Sequence, residues 1–260
     1  MRDGDLLFLI ICLASFVLIL MDAAMGGSIG IWIDQNLYIQ ASQIGSVLGL
    51  AGLVLSPLLL IPLISALLGG TFKLPGFVNK LQHRLIGWID AITLQIGGAA
   101  RWFALGLVVV TAIIVVQRYV FGFASTKLQE SVIYMHALLF LLSSASTLLA
   151  DGHVRVDIFY AKQSEKGKAW TDLLGTYLTL IPMCLLILWT TTGYIDSAWR
   201  ILESSRESDG LPLVFLLKTA IPLFAVMMIL QGFSIAARCA MTLAGDTPPP
   251  RPGMTGEAEI

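Results

Sequence analysis

Residues Ser131–Ala150 form a run without a single Asp, Glu, Lys or Arg. At about 1.5 Å per residue, a helix of that length covers roughly the 30 Å of a bilayer's hydrocarbon. Polarity returns abruptly at both ends. Gln117-Arg118-Tyr119-Val120-Phe121-Gly122 and Leu128-Gln129-Glu130 precede the run, and Asp151-Gly152-His153-Val154-Arg155-Val156-Asp157 follows it. Such a change marks a membrane–water boundary. The whole chain agrees, with 57% hydrophobic and 13% charged residues against about 25% charged in soluble domains. So much apolar surface cannot be buried against itself, and lipid must cover the remainder. A formal net charge of -1 without a basic cluster excludes nucleic acid as a partner. The runs are helical in length and do not alternate as outer-membrane strands do. The expected fold is therefore all-α: a polytopic membrane helix bundle of about six transmembrane helices plus an interfacial amphipathic helix.

In chain order, residues 1–70 read as a two-helix membrane extension. Leu6–Met21 is expected to be a retained span. Its leader carries two acids against one base, and Asp22-Ala23-Ala24 is a poor cleavage signal. Ile44–Leu68 contains Pro57 and Pro62, which predict a kink. Residues 71–90 predict an amphipathic helix: Val78, Leu81, Leu85, Trp88 and Ile89 share one side, and Asn79, Lys80, Gln82, His83 and Arg84 fill the other. Its basic side suits the cytoplasmic headgroups, with Lys80, Arg84 and Trp88 as membrane-interface residues. Arg101 joins them, because an arginine at mid-bilayer costs roughly 2.5–3.5 kcal/mol.

Residues 91–243 hold four further spans, and 244–260 read as a disordered cytoplasmic tail rich in proline. The polar connector Asp196–Asp209 offers Arg200, Glu203, Glu207 and Asp209 as docking candidates on the outer side. Glu203 and Glu207 share a face if the segment is helical. Basic residues concentrate in Arg2, Lys73, Lys80, Arg84, Arg155, Lys162, Lys166, Lys168, Arg238 and Arg251, which puts both termini in the cytoplasm.

Little in the chain suggests chemistry. In Asp151–Asp157 the polar residues Asp151, His153, Arg155 and Asp157 alternate with apolar ones, as on one side of an extended segment. Two acids and a histidine suggest a metal site, but Arg155 between them opposes a cation. An ion-paired cap is the better reading. Glu130 stands at the start of the central helix, where a carboxylate offsets the helix dipole; pairing with Arg118 or with a partner subunit is its functional alternative. His136 is expected to hydrogen-bond to a neighbouring helix, since no acid stands in a span's middle to complete a proton relay. Cys12, Cys184 and Cys239 lie in apolar runs and read as small buried hydrophobes. No Gly-rich phosphate loop, Ser–His–Asp order or paired catalytic carboxylates occur, so neither catalysis nor a bound cofactor or metal is expected.

The ordered segments QRYVFG, LQE, YMHALLFLL, DGHVRVDIFYA, TDLLGTYLTLIP, SAWRILESSRESDGLP and ILQGFS resemble the small membrane subunit of TRAP transporters, the tripartite ATP-independent periplasmic type. The resemblance covers roughly Lys80 to Ala240. It implies a bacterial inner-membrane complex in which a periplasmic substrate-binding protein delivers an organic acid, commonly a carboxylate. A large membrane subunit then carries it across with sodium by an elevator-like motion. The small subunit serves as a scaffold, and sodium belongs to the large partner. By resemblance, Arg118, Glu130, His153, Arg155 and Asp157, with Asp151 in the same motif, are interface or structural positions. Two other readings stay open: a stand-alone homo-oligomeric transporter or channel, and a membrane adaptor without transport function.

Overall fold

The computed structural model describes residues 3–69, 76–153 and 158–252. Nine α-helices occur among them and no strand: α1 Asp5–Ala24, α2 Ser28–Leu55, α3 Ile61–Gly69, α4 Gly76–Ala100, α5 Trp102–Val120, α6 Thr126–Leu149, α7 Glu165–Gly175, α8 Ile181–Arg200 and α9 Val214–Ala244. A 3-10 turn, Ser56–Leu60, joins α2 to α3, and a π-turn, Thr176–Leu180, joins α7 to α8. Six helical stretches are long and apolar enough to cross a membrane: Asp5–Ala24, Ser28–Leu68, Gly76–Val120, Thr126–Leu149, Glu165–Arg200 and Val214–Ala244.

Proline explains both irregular turns. Pro57 stands in the first turn of the 3-10 segment, so the kink expected between Ile44 and Leu68 takes the form of a tightened helix. Pro62 has no N–H to offer the Leu59 carbonyl in the 3-10 register, and the Tyr177 hydroxyl donates to that carbonyl instead. The π-turn directly precedes Pro182, whose ring would crowd the carbonyl four residues back in a regular helix.

The stops of α6 and α8 follow one pattern. After α6, Asp151 adopts φ +57°, its N–H bonds to the Leu148 carbonyl (3.2 Å), and the Gly152 N–H reaches Thr147 (2.8 Å). These are the paired bonds of a Schellman cap. Asp151 is thus a left-handed cap residue and not the first position of an extended strip, which corrects the alternating reading of Asp151–Asp157 at its start. Arg155 and Asp157 lie outside the described residues. The same two bonds close α8 around Leu202, at φ +46°.

The chain divides into two compact units. The first comprises Met1–Leu50, Gln95–Ser143 and Trp189–Leu223, the second Ala51–Leu94, Ser144–Leu188 and Phe224–Ile260. In the first, the buried apolar side chains are Ala100, Ala198, Phe215 and Ala220. Its N-terminal segment crosses α4 at Gly98, where a Cβ would fall 1.9 Å from the Asp3 carbonyl oxygen. Asp5 there accepts from Arg101 and from Trp102 Nε1 (3.1 Å), so Arg101 is ion-paired within the chain. Phe8 stacks on Trp102 with ring centroids 5.6 Å apart.

The second unit has a dense core. One cluster joins Ala66, Ala169, Leu173, Ala236, Cys239 and Ala240; another joins Ile86, Ile89, Phe233, Ala237 and Met241. The helix expected to end near Asp90 continues to Ala100, and three of its polar residues, Gln82, Asp90 and Thr93, turn inward. Gln82 is 1% exposed and donates to Ser65 Oγ (3.1 Å). Asp90, 5% exposed, pairs with Arg238, also 5% exposed. Lys80, Arg84 and Trp88 remain on the exposed side of α4.

Candidate functional site

The structure holds a polar assembly in each unit, and the residues marked by the sequence enter them only in part.

The assembly in the first unit is built on α6. Glu130, in the second turn of that helix, aims its carboxylate at the connector between α8 and α9. One oxygen accepts from the Ser205 hydroxyl and the other from the Leu211 N–H at 2.6 Å. The close approach requires Gly210, where a Cβ would lie 2.2 Å from Ser205 Oγ and 2.9 Å from Glu130 Oε1. Ser205 and Leu211 also share a backbone bond (Ser205 N to Leu211 O, 3.0 Å). Glu130 therefore neither pairs with Arg118 nor caps its own helix. Arg118 is exposed, with no ion pair among the described residues.

The docking candidates are mostly occupied. Arg200 pairs with Asp196 at 2.6 Å, Asp209 with Lys127 at 2.7 Å, and Glu203 with Lys218. Lys218 also sits 4.0 Å from the centroid of the Tyr194 ring. The adjoining helix ends are pinned by Trp199, whose Nε1 donates to Thr219 Oγ1 (2.8 Å) and whose ring meets Phe215 edge-on at 4.9 Å. Glu203 and Glu207 do not share a helix face, because α8 ends at Arg200 and the connector is irregular. The reason is the left-handed cap at Leu202, which turns the chain back before a further helical turn can form. Of the four candidates, Glu207 is left exposed and without an ion pair among the described residues, beside the exposed Arg206.

The assembly in the second unit was not anticipated, and it shows an acid within the helices where none was expected. Arg238 donates to Asp90 and to Ser234 Oγ, and Ser234 donates to Asp90 Oδ1 at 2.8 Å. Gln231 and Thr93 extend the network, with Thr93 Oγ1 donating to Gln231 Oε1 at 3.2 Å. The remaining guanidinium donors meet the Pro249 and Pro250 carbonyls at 3.1 and 3.4 Å. The tail expected to be disordered is therefore held in its described part. Asp246 accepts from Asn79 at 2.8 Å, and Arg251 lies 3.8 Å from Asp151. One sequence signal was available: Gln231, Ser234 and Arg238 recur at intervals of three and four, one stripe of a helix. His153 is exposed and joins neither assembly.

Chemically, both assemblies fix charge in place. Buried Asp90 and Arg238 neutralise each other and carry additional hydrogen bonds, the condition under which burial of charge is tolerated, whereas half-buried Glu130 is held by two neutral donors. Among the described residues no three His, Cys, Asp or Glu side chains come together as a metal site.

A family model described as tripartite ATP-independent periplasmic transporters, DctQ component, matches residues 107–241 of the 260. No curated protein and no solved structure matches the chain. The matched region runs from within α5 almost to the end of α9 and so includes Glu130, the connector it holds, and Arg238. With more than half of its length matched and six helical stretches able to cross a bilayer, the chain belongs to the DctQ component family and is a small membrane subunit of a TRAP transporter.

Proposed function

We propose that this chain is the fixed scaffold of a sodium-driven, binding-protein-dependent importer of organic acids. It would sit in a bacterial inner membrane with both termini cytoplasmic. A large membrane subunit carries the carboxylate together with sodium, and a periplasmic binding protein delivers it. This chain positions the large subunit and helps to dock the binding protein. On its cytoplasmic side, Lys80, Arg84 and Trp88 face anionic headgroups.

The observation that carries this reading is the commitment of charge. A polypeptide that moves a charged solute needs polar groups whose partners change during the cycle. Here Asp90 and Arg238 are saturated by each other, by Ser234 and by the tail. Glu130 is likewise filled by Ser205 and Leu211. Such groups hold elements in place. The docking role is supported by the connector, which is preformed on Glu130 and leaves Arg206 and Glu207 to solvent.

Reconstitution tests the proposal. Under a sodium gradient with loaded binding protein, uptake is expected in vesicles holding this chain together with the large subunit and in neither alone. Uptake by this chain alone overturns the scaffold reading. Glu207→Lys is expected to lower uptake when binding protein is limiting; unchanged uptake removes the docking role.

A further inference from the structure

From Gln129 onward the exposed residues of α6 form one narrow line. Between Gln129 and Phe140 they are Gln129, Ile133, His136 and Phe140, at intervals of four, three and four. Ile133 is 61% and Phe140 67% exposed, and no α6 residue beyond Phe140 is exposed. That interval pattern is the seam along which one helix meets another at a shallow crossing angle. A helix that packs little within its own chain looks different. On α1 the exposed side chains include Leu9, Ile10 and Ile11 in succession and so run around the helix.

The seam is also not purely apolar. His136 is the eleventh residue of a 24-residue helix and the sixth of the uncharged run Ser131–Ala150, about 7.5 Å inside its start. The hydrogen bond expected to a neighbouring helix is not formed among the described residues, where His136 is exposed and has no partner. The Gln129 carboxamide, two turns earlier and outside the uncharged run, marks the end of the line. Acyl chains offer no hydrogen bond, and an unpaired polar group in hydrocarbon is costly. An occupant of this line must combine the shape of a helix with a hydrogen-bonding group opposite His136.

The geometry points to the Gln129–Ile133–His136–Phe140 line of α6 as the seat of a single membrane-spanning helix from another component of the same transporter, one that presents a hydrogen-bonding side chain at the depth of His136. This inference rests on the scaffold reading. Membership of a tripartite assembly favours a different chain over a second copy of this one.

Photo-crosslinking in cells that make the complete transporter tests it. Benzoylphenylalanine replaces Ile133 or Phe140, with Phe16 of α1, 58% exposed, as the lipid-facing control. Positions 133 and 140 are expected to give adducts whose peptides map to a membrane-spanning helix of the large subunit, and position 16 none. His136→Leu is expected to lower the yield roughly three- to tenfold, with partial recovery in His136→Asn. Adducts to a second copy, no protein adduct at either position, or a yield unaffected by His136→Leu each overturn the assignment. Co-purification from the same cells separates the two readings. If the large subunit co-purifies but no adduct forms, the seam is wrong and the scaffold stands; if it does not co-purify, the scaffold reading fails as well.

Discussion

The two compact units solve the same problem by different means. The second interlocks small and medium apolar side chains from α3, α4, α7 and α9, and seals one ion pair inside that packing. The first buries little: α1, α2 and α5 contribute no buried residue in their helical spans. It relies on ties at helix ends, namely Asp5 with Arg101, Glu130 with the connector, and Lys218 with Glu203. Lipid and neighbouring chains supply the apolar contacts that this unit does not make for itself. Charge ties elements together in both units, but only the second seals a pair in its core, so its removal is expected to cost more there.

The sharpest way to break that contrast is at Asp90. Asp90→Ala leaves a buried guanidinium without its counter-ion and is expected to cost roughly 3–5 kcal/mol, read as a lower unfolding midpoint in detergent. A double Asp90→Leu, Arg238→Met variant should regain most of the loss. If Asp90→Ala alone unfolds at the parent's midpoint, the sealed pair is not the second unit's fastener. In the first unit, Glu130→Ala is expected to act locally. Hydrogen exchange at the Leu211 amide should accelerate by about tenfold, with the global midpoint little changed; unaltered protection would mean that the connector holds itself. The smallest effect is expected at Asp5→Asn. Its partner Arg101 is 41% exposed and Asp5 22%, a setting in which a pair contributes roughly 0–1 kcal/mol. A larger loss would erase the distinction between the units.

The membrane spans were legible because lipid imposes one rule, a long run without charge, and Ser131–Ala150 obeys it completely. Glu130 was legible as a marked residue but not in its role, since its partners Ser205 and Leu211 lie 75 and 81 residues away. Asp90 and Arg238, 148 residues apart, were hidden for a related reason. Each fits a surface explanation by itself, one as the end of an amphipathic helix and the other as a cytoplasmic cation, and only the pairing makes burial affordable. Composition misled for the part of the tail that is described, up to residue 252. Proline-rich segments do not build cores, yet they keep free backbone carbonyls, and that is what a buried arginine can use.

That attachment has an unusual tolerance. The Arg238 guanidinium holds the carbonyls of Pro249 and Pro250 and touches no side-chain acceptor of that segment. Apart from Asp246, which accepts from Asn79, exchanging the residues between Gly245 and Pro250 for others able to follow the same path is expected to leave the Arg238 tether intact, whereas deleting one of them would draw both acceptors back by roughly 3 Å, beyond hydrogen-bonding reach. The segment works as a measured length of chain, with its spacing as the part that matters.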